Sequence, residues 1–169
     1  MAHSLIIGMT MSGKSTLARR MVAAYRRDGI FSLVLDPLED PAWTKAGARY
    51  QTGDGDKFLA VIFRARQCAI FVDESGEAIG RYAGAMKKLA TRSRHYGHNA
   101  HFISQRAVDI DKTIRDQCGY LFCFRVSQRD AETLADEYGY QELLECSRLN
   151  QGEFIKCGRF LTPQKFRLF

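Results

Sequence analysis

The chain has 169 residues, 46% hydrophobic and 26% charged, which suits one soluble domain large enough to bury a real core. No apolar run approaches the roughly 18 residues of a membrane span, and the opening "MAHSLIIGMT" carries no basic leader, so neither a span nor a signal peptide is expected. The net charge of +6 favours an anionic partner without naming one, and the five cysteines, an odd number with no CxxC pair, exclude a disulfide scaffold or a zinc ribbon and point to reduced thiols.

Strand-like and helix-like segments alternate along the whole chain. Ser4–Gly8 is a buried strand and Lys14–Arg27 a helix ended by Gly29. "FSLVL" (Phe31–Leu35) is a second strand, closed by Asp36-Pro37. The stretch that follows is loop-rich, with a short strand expected over Ala48–Gln51. Asp56–Gln67 patterns as a helix and "CAIFVDE" (Cys68–Glu74) as an apolar strand ending in two acids. Glu77–His95 is a long helix, Ala100–Gln105 a strand, Val108–Gln117 a short helix, Tyr120–Val126 a buried strand and Arg129–Tyr138 a helix. The tail "GEFIKCGRFLTPQKFRLF" alternates around a Gly and predicts a terminal β-hairpin. Continuous apolar strands separated by helices imply a mainly parallel sheet covered on both faces. The expected architecture is a single three-layer α/β domain over residues 1–169.

Gly8-Met9-Thr10-Met11-Ser12-Gly13-Lys14-Ser15 matches GxxxxGK[ST], between a strand and a helix as the motif requires, with Thr16 next in the helix. Glycines let such a loop wrap phosphates with its N–H groups turned inward, and the helix start adds its positive end. Lys14 is placed to reach the β- and γ-phosphates of ATP, and the Ser15 hydroxyl to ligate Mg²⁺. Asp73 emerges at the end of its strand, where α/β sheets bind ligands, and suits the same Mg²⁺ through a water molecule. Glu74 beside it is a candidate general base for an attacking water, or a cap for the next helix. Gln105 ends a strand expected beside that of Asp73, which brings its amide near the γ-phosphate.

The set "GMTMSGKS", "AIFVDE", "RHYGHNAHFISQR" and "IRDQCGYLFCFRV" resembles the FtsK–HerA superfamily of DNA-pumping ATPases. Within it the chain is most similar to the short genome-packaging ATPases of tailless, membrane-containing phages and related large DNA viruses. The resemblance, over roughly residues 4 to 160, implies a RecA/FtsK-like P-loop NTPase fold and ATP hydrolysis coupled to translocation of double-stranded DNA. It also implies a ring of identical subunits, usually six, in which an arginine of one subunit completes the neighbour's ATP site. By position Arg94 matches that arginine best, with Arg92 the runner-up and Arg115 a possible contact at the same interface. A capsid vertex or portal protein as docking partner, and the host-cell cytoplasm or the virion as location, follow from the same resemblance. At this length there is no room for a membrane anchor, a winged-helix reader or a helical lid, which favours packaging over segregation, conjugation or filamentous-phage extrusion.

A small nucleoside or nucleotide kinase of the thymidine-kinase type is the alternative, since it shares a similar loop and an Asp-Glu strand end. On the Glu77–His95 helix, Ile79, Ala83, Met86 and Ala90 form an apolar stripe, and Arg81, Lys88 and Arg92 a basic face that either lines a DNA channel or is solvated. His95, His98 and His101 are not expected to converge on a metal. Phe102, Tyr120, Phe122 and Phe124 are expected in the core.

Overall fold

The computed structural model describes residues 2–73, 84 and 86–169. Glu74 and the first part of the expected long helix, including Ile79, Arg81 and Ala83, lie outside the described residues. Eight strands form one sheet in the order β3-β2-β4-β5-β1-β6-β7-β8. These are β1 (His3–Ile7), β2 (Ser32–Leu35), β3 (Tyr50–Thr52), β4 (Ala69–Val72), β5 (Asn99–Ser104), β6 (Cys118–Cys123), β7 (Glu153–Gly158) and β8 (Leu161–Arg167). The first six pair in parallel, and β7 and β8 add an antiparallel hairpin to the β6 edge. The hairpin predicted for the tail is therefore present.

Side chains alternate across the central strands into two cores. Ile6, Val34, Phe71 and Ile103 pack on one face with Ala18 and Val22 of α1 (Lys14–Arg27) and Trp43 of α2 (Ala42–Ala46). Leu5, Ile7, Ile70 and Phe102 pack on the other, against Phe58 and Ile62 of α3 (Gly55–Ile62), Met86, Leu89 and Ala90 of α4 (residues 86–92), Ile114 of α5 (Lys112–Gln117) and Leu134 of α6 (Gln128–Tyr138). Strands buried on both faces read as unbroken apolar runs, which is why they were legible.

Four local differences have physical causes. The loop-rich stretch contains α2, too short for a periodic pattern, started by the Asp40 carboxylate on the Ala42 amide (2.9 Å) and anchored by buried Trp43. The segment Val108–Gln117 is split: a 3-10 turn (Ala107–Asp109) precedes α5, because Asp111 caps a fresh helix by accepting from the Thr113 amide at 2.8 Å. The helix expected to run to Gln67 stops at Ile62, and Gln67 itself has φ 55°. Phe102 and Phe124 are core, but Tyr120 is 40% exposed and Phe122 is half-buried. Both lie on the α1 face of β6, where Lys156 of β7, rather than a helix, stands over their rings at 6.0 and 5.7 Å.

Candidate nucleotide-binding site

β1 delivers Gly8 to the carboxyl edge of the sheet. A Cβ there would sit 2.5 Å from Phe124 Cβ and 2.7 Å from Ser12 Oγ, so the loop passes β6 too closely for any side chain. The Met9 amide then donates to the Arg125 carbonyl at 2.7 Å, and the Ser12 amide folds back on the Met9 carbonyl at 3.2 Å. Met11 (φ 61°) and Gly13 (φ 118°) both take left-handed backbone, which curls the loop into a hollow. The start of α1 faces that hollow with no side-chain cap and no acid in its first turn, so its positive end is left for an anion.

Side chains complete the cradle. Lys14 is buried, and its Nζ lies over the loop, donating to the Met9 carbonyl at 2.8 Å. Ser15 and Thr16 are half-buried in the first turn of α1. The Ser12 hydroxyl is buried with no hydrogen-bond partner among the described residues. A glycine-limited hollow, a lysine inside it and an uncapped helix start fit a nucleotide's phosphates. The Ser15 hydroxyl and the Asp73 carboxylate are the hard oxygen donors suited to Mg²⁺.

The loop is braced from far along the chain. The Gly152 amide donates to the Ser12 carbonyl (3.0 Å) and the Gln151 side chain to the Met11 carbonyl (3.0 Å). The Leu168 amide in turn holds Gly152 at 2.9 Å, and Arg20 of α1 donates to the Leu168 carbonyl at 3.2 Å. None of these partners carried a local signal in the sequence.

Asp73 follows β4 and is half-buried, its amide on the Leu35 carbonyl at 2.9 Å. β5 lies between β4 and β1, so Gln105, immediately after β5, stands between the Asp73 strand and the P-loop. Thr10 Oγ1 donates to Gln105 Oε1 at 3.2 Å, which ties the two segments together. The same region holds two residues that the sequence left unremarked, Arg106 and Asp130, in a cavity of about 460 Å³ with Met9, Thr10, Gln105 and Ser127.

The arginines separate by position. Arg94 is exposed in a 3-10 turn (Ser93–Tyr96) ahead of β5, its Nη2 donating to the Gln117 carbonyl at 2.6 Å. The six residues of β5 put it at the opposite edge of the sheet from Gln105, about 20 Å away. Arg92 is also exposed at that edge. Arg115 differs: it is buried, pairs with Glu137 at 2.6 Å and donates to the carbonyls of Ala107 and Ile110. Glu137 accordingly raises its pKa. Its guanidinium joins α5 to α6 within the chain.

Three of the four histidines are committed within the fold. His98 accepts from the Cys68 amide (3.1 Å) and donates to the Ile62 carbonyl (3.1 Å). His101 faces the Ser4 and Tyr25 hydroxyls at 2.7 and 3.0 Å. His3 accepts from the Ala100 amide (3.0 Å) and meets Ser93 Oγ at 3.1 Å. Burial lowers the pKa of His101 to about 3 and, with Arg94 nearby, that of His3 to about 4. His95 is exposed, and no metal-binding cluster occurs among the described residues.

No protein-family model matches the chain, and no curated protein matches it. Solved structures do. The genome packaging NTPase B204 of Sulfolobus turreted icosahedral virus 2, in complex with AMPPCP, superposes with a TM-score of 0.81 at 15% identity, covering 99% of this chain and 98% of that one. The pCW3 conjugation coupling protein TcpA, with ATPgS, gives 0.77 at 16% identity over 99% of this chain and 60% of that one. The cytoplasmic domain of the Type VII secretion ATPase EccC of Thermomonospora curvata gives 0.74 at 16% identity, over 98% and 25%. Over nearly all its length the chain thus shares the α/β P-loop fold of these solved structures.

Proposed function

We propose that this chain is an ATP-hydrolysing motor that packages double-stranded DNA into a viral capsid, working as a ring of identical subunits. The observation that carries the reading is the placement of Gln105 between the Asp73 strand and the P-loop, hydrogen-bonded to Thr10. A hydrolase needs groups there that sense the terminal phosphate and orient water, whereas a kinase reserves that position for its substrate's hydroxyl. The likeness along the full length of a genome-packaging NTPase supports the same choice.

In this reading Gly8 to Thr16 bind the phosphates of ATP, and Lys14 neutralises the β- and γ-groups. The Ser15 hydroxyl and, through water, the Asp73 carboxylate would hold Mg²⁺. Two interstrand spacings, about 10 Å, separate the Asp73 strand from the P-loop strand, room for a hydrated ion and the phosphates. Glu74 acts as general base and Gln105 aligns the water. Arg94, too far from its own P-loop to serve it, contributes its charge to the neighbour's transition state, which makes hydrolysis depend on assembly. DNA is gripped through its phosphates without regard to sequence, with a capsid vertex or portal as the docking partner in the host cytoplasm. Among the described residues no helix is long and apolar enough to cross a membrane.

The test is ATP hydrolysis by the purified protein with and without long double-stranded DNA, at two salt concentrations. The motor reading expects stimulation that fades as salt rises, because phosphate contacts release counterions. No response to DNA, with rapid ADP formation on adding nucleosides or nucleoside monophosphates, would establish the kinase instead.

A further inference from the structure

We propose that Arg106 is a second phosphate-contacting cation of the site, acting in cis, and that Asp130 is the positioning residue that holds it back until a terminal phosphate arrives. The inference rests on reading the P-loop as an ATP site.

Arg106 follows Gln105 at the exit of β5 and shares a cavity of about 460 Å³ with Met9 and Thr10 of the P-loop. Its side chain is half exposed and its Nε stands 3.6 Å from Asp130 Oδ2, beyond hydrogen-bond distance. Asp130, in the first turn of α6, is only 2% exposed. Its Oδ2 accepts from the Ser127 hydroxyl at 2.7 Å, while Oδ1 is buried without a hydrogen-bond partner.

A buried carboxylate with one oxygen unsatisfied and its cation at arm's length is a poorly settled pair. A guanidinium prefers a bidentate partner, and a phosphoryl group offers one. A triphosphate in the P-loop presents its terminal group beside Thr10 and Gln105, two walls of the cavity that Arg106 already lines. A small rotation moves Arg106 from Asp130 to that group. ADP lacks the terminal phosphate and leaves Arg106 where it is. The pair therefore discriminates ATP from ADP, and each exchange alters the charge against the first turn of α6.

Calorimetric titration with Mg-ADP and with Mg-AMPPCP tests this, with urea midpoints confirming that each variant is folded. The wild type should bind both nucleotides. Arg106→Ala should weaken AMPPCP about tenfold and leave ADP within about twofold. Asp130→Asn keeps the shape and the Ser127 bond, and should tighten AMPPCP about threefold without affecting ADP. Because Asp130 acts through Arg106, the double variant should match Arg106→Ala alone. Equal weakening of both nucleotides by Arg106→Ala, or an Asp130→Asn effect that persists in the double variant, overturns the proposal while leaving the ATP site intact. If folded wild-type protein binds neither nucleotide, the ATP-site reading fails and this one with it.

Discussion

Thr10 and Gln105 are 95 residues apart in sequence and joined by one hydrogen bond of 3.2 Å, from the threonine hydroxyl to the amide oxygen. This bond ties the P-loop to the residue that follows β5. Gln105 closes the strand that leads back to the turn carrying Arg94.

This contact predicts a split between binding and turnover. Gln105→Ala should cut ATP hydrolysis by about 10²-fold, the range of a lost positioning or stabilising group in the transition state. ATP affinity should stay within about threefold. Parallel turnover and titration measurements check it, and equal losses in both would mean that Gln105 serves only to hold the nucleotide.

Arg94 offers a test by mixing. Arg94→Ala and Lys14→Ala variants should each be nearly inactive alone. Mixed, they should regain part of the activity, since a neighbour with an intact Arg94 can serve a subunit with an intact P-loop. Specific activity of the wild type should also rise with protein concentration. A mixture as inactive as its parts would remove Arg94 from the chemistry.

Arg115 should behave as a structural residue. It lies in a buried ion pair with Glu137, and removal of one partner leaves the other charge uncompensated, at a cost of about 3–5 kcal/mol. Arg115→Met should therefore lower stability by that order in urea denaturation. Mixing with Lys14→Ala protein should restore no activity beyond that of the fraction still folded.

The buried histidines set an acid limit. His3 and His101 stay neutral in the fold, with pKa values of about 4 and 3, while both take up a proton near pH 6.5 when unfolded. The unfolded chain binds more protons below that value, so stability is full above about pH 6.5 and falls as pH drops toward 4. The slope is about 1.4 kcal/mol per pH unit for each histidine. Denaturant titrations between pH 7 and 5 should show this fall, and His101→Gln should flatten it. An unchanged slope would show that other groups dominate.

Much of this was legible because the information is local. The apolar runs of β1, β4 and β5 give a buried parallel sheet, and "GMTMSGKS" needs only its flanking strand and helix to define the loop. What escaped depends on partners distant in sequence or on a missing cover. The burial of Trp43 rests on Phe71, 5.8 Å away across the core, rather than on the five-residue helix that carries it. Arg115 and Arg94 are both arginines ahead of a strand, and only the position of Glu137 on α6 separates them. Tyr120 and Phe122 alternate as core residues do, but α1 packs over the middle of the sheet and leaves that part of β6 uncovered. Arg106 and Asp130 fit no motif, and meet only because β5 ends and α6 begins at the same cavity.

The brace behind the P-loop has a consequence for synthesis. Met11 and Gln151 are 140 residues apart, so the ribosome completes the entire GxxxxGK[ST] loop long before it makes the residues that hold the loop's carbonyls in place. A nascent or truncated chain displays the full motif without its backing. The loop's two carbonyl anchors, Gln151 and Gly152, are thus among the last parts of the phosphate cradle to be made.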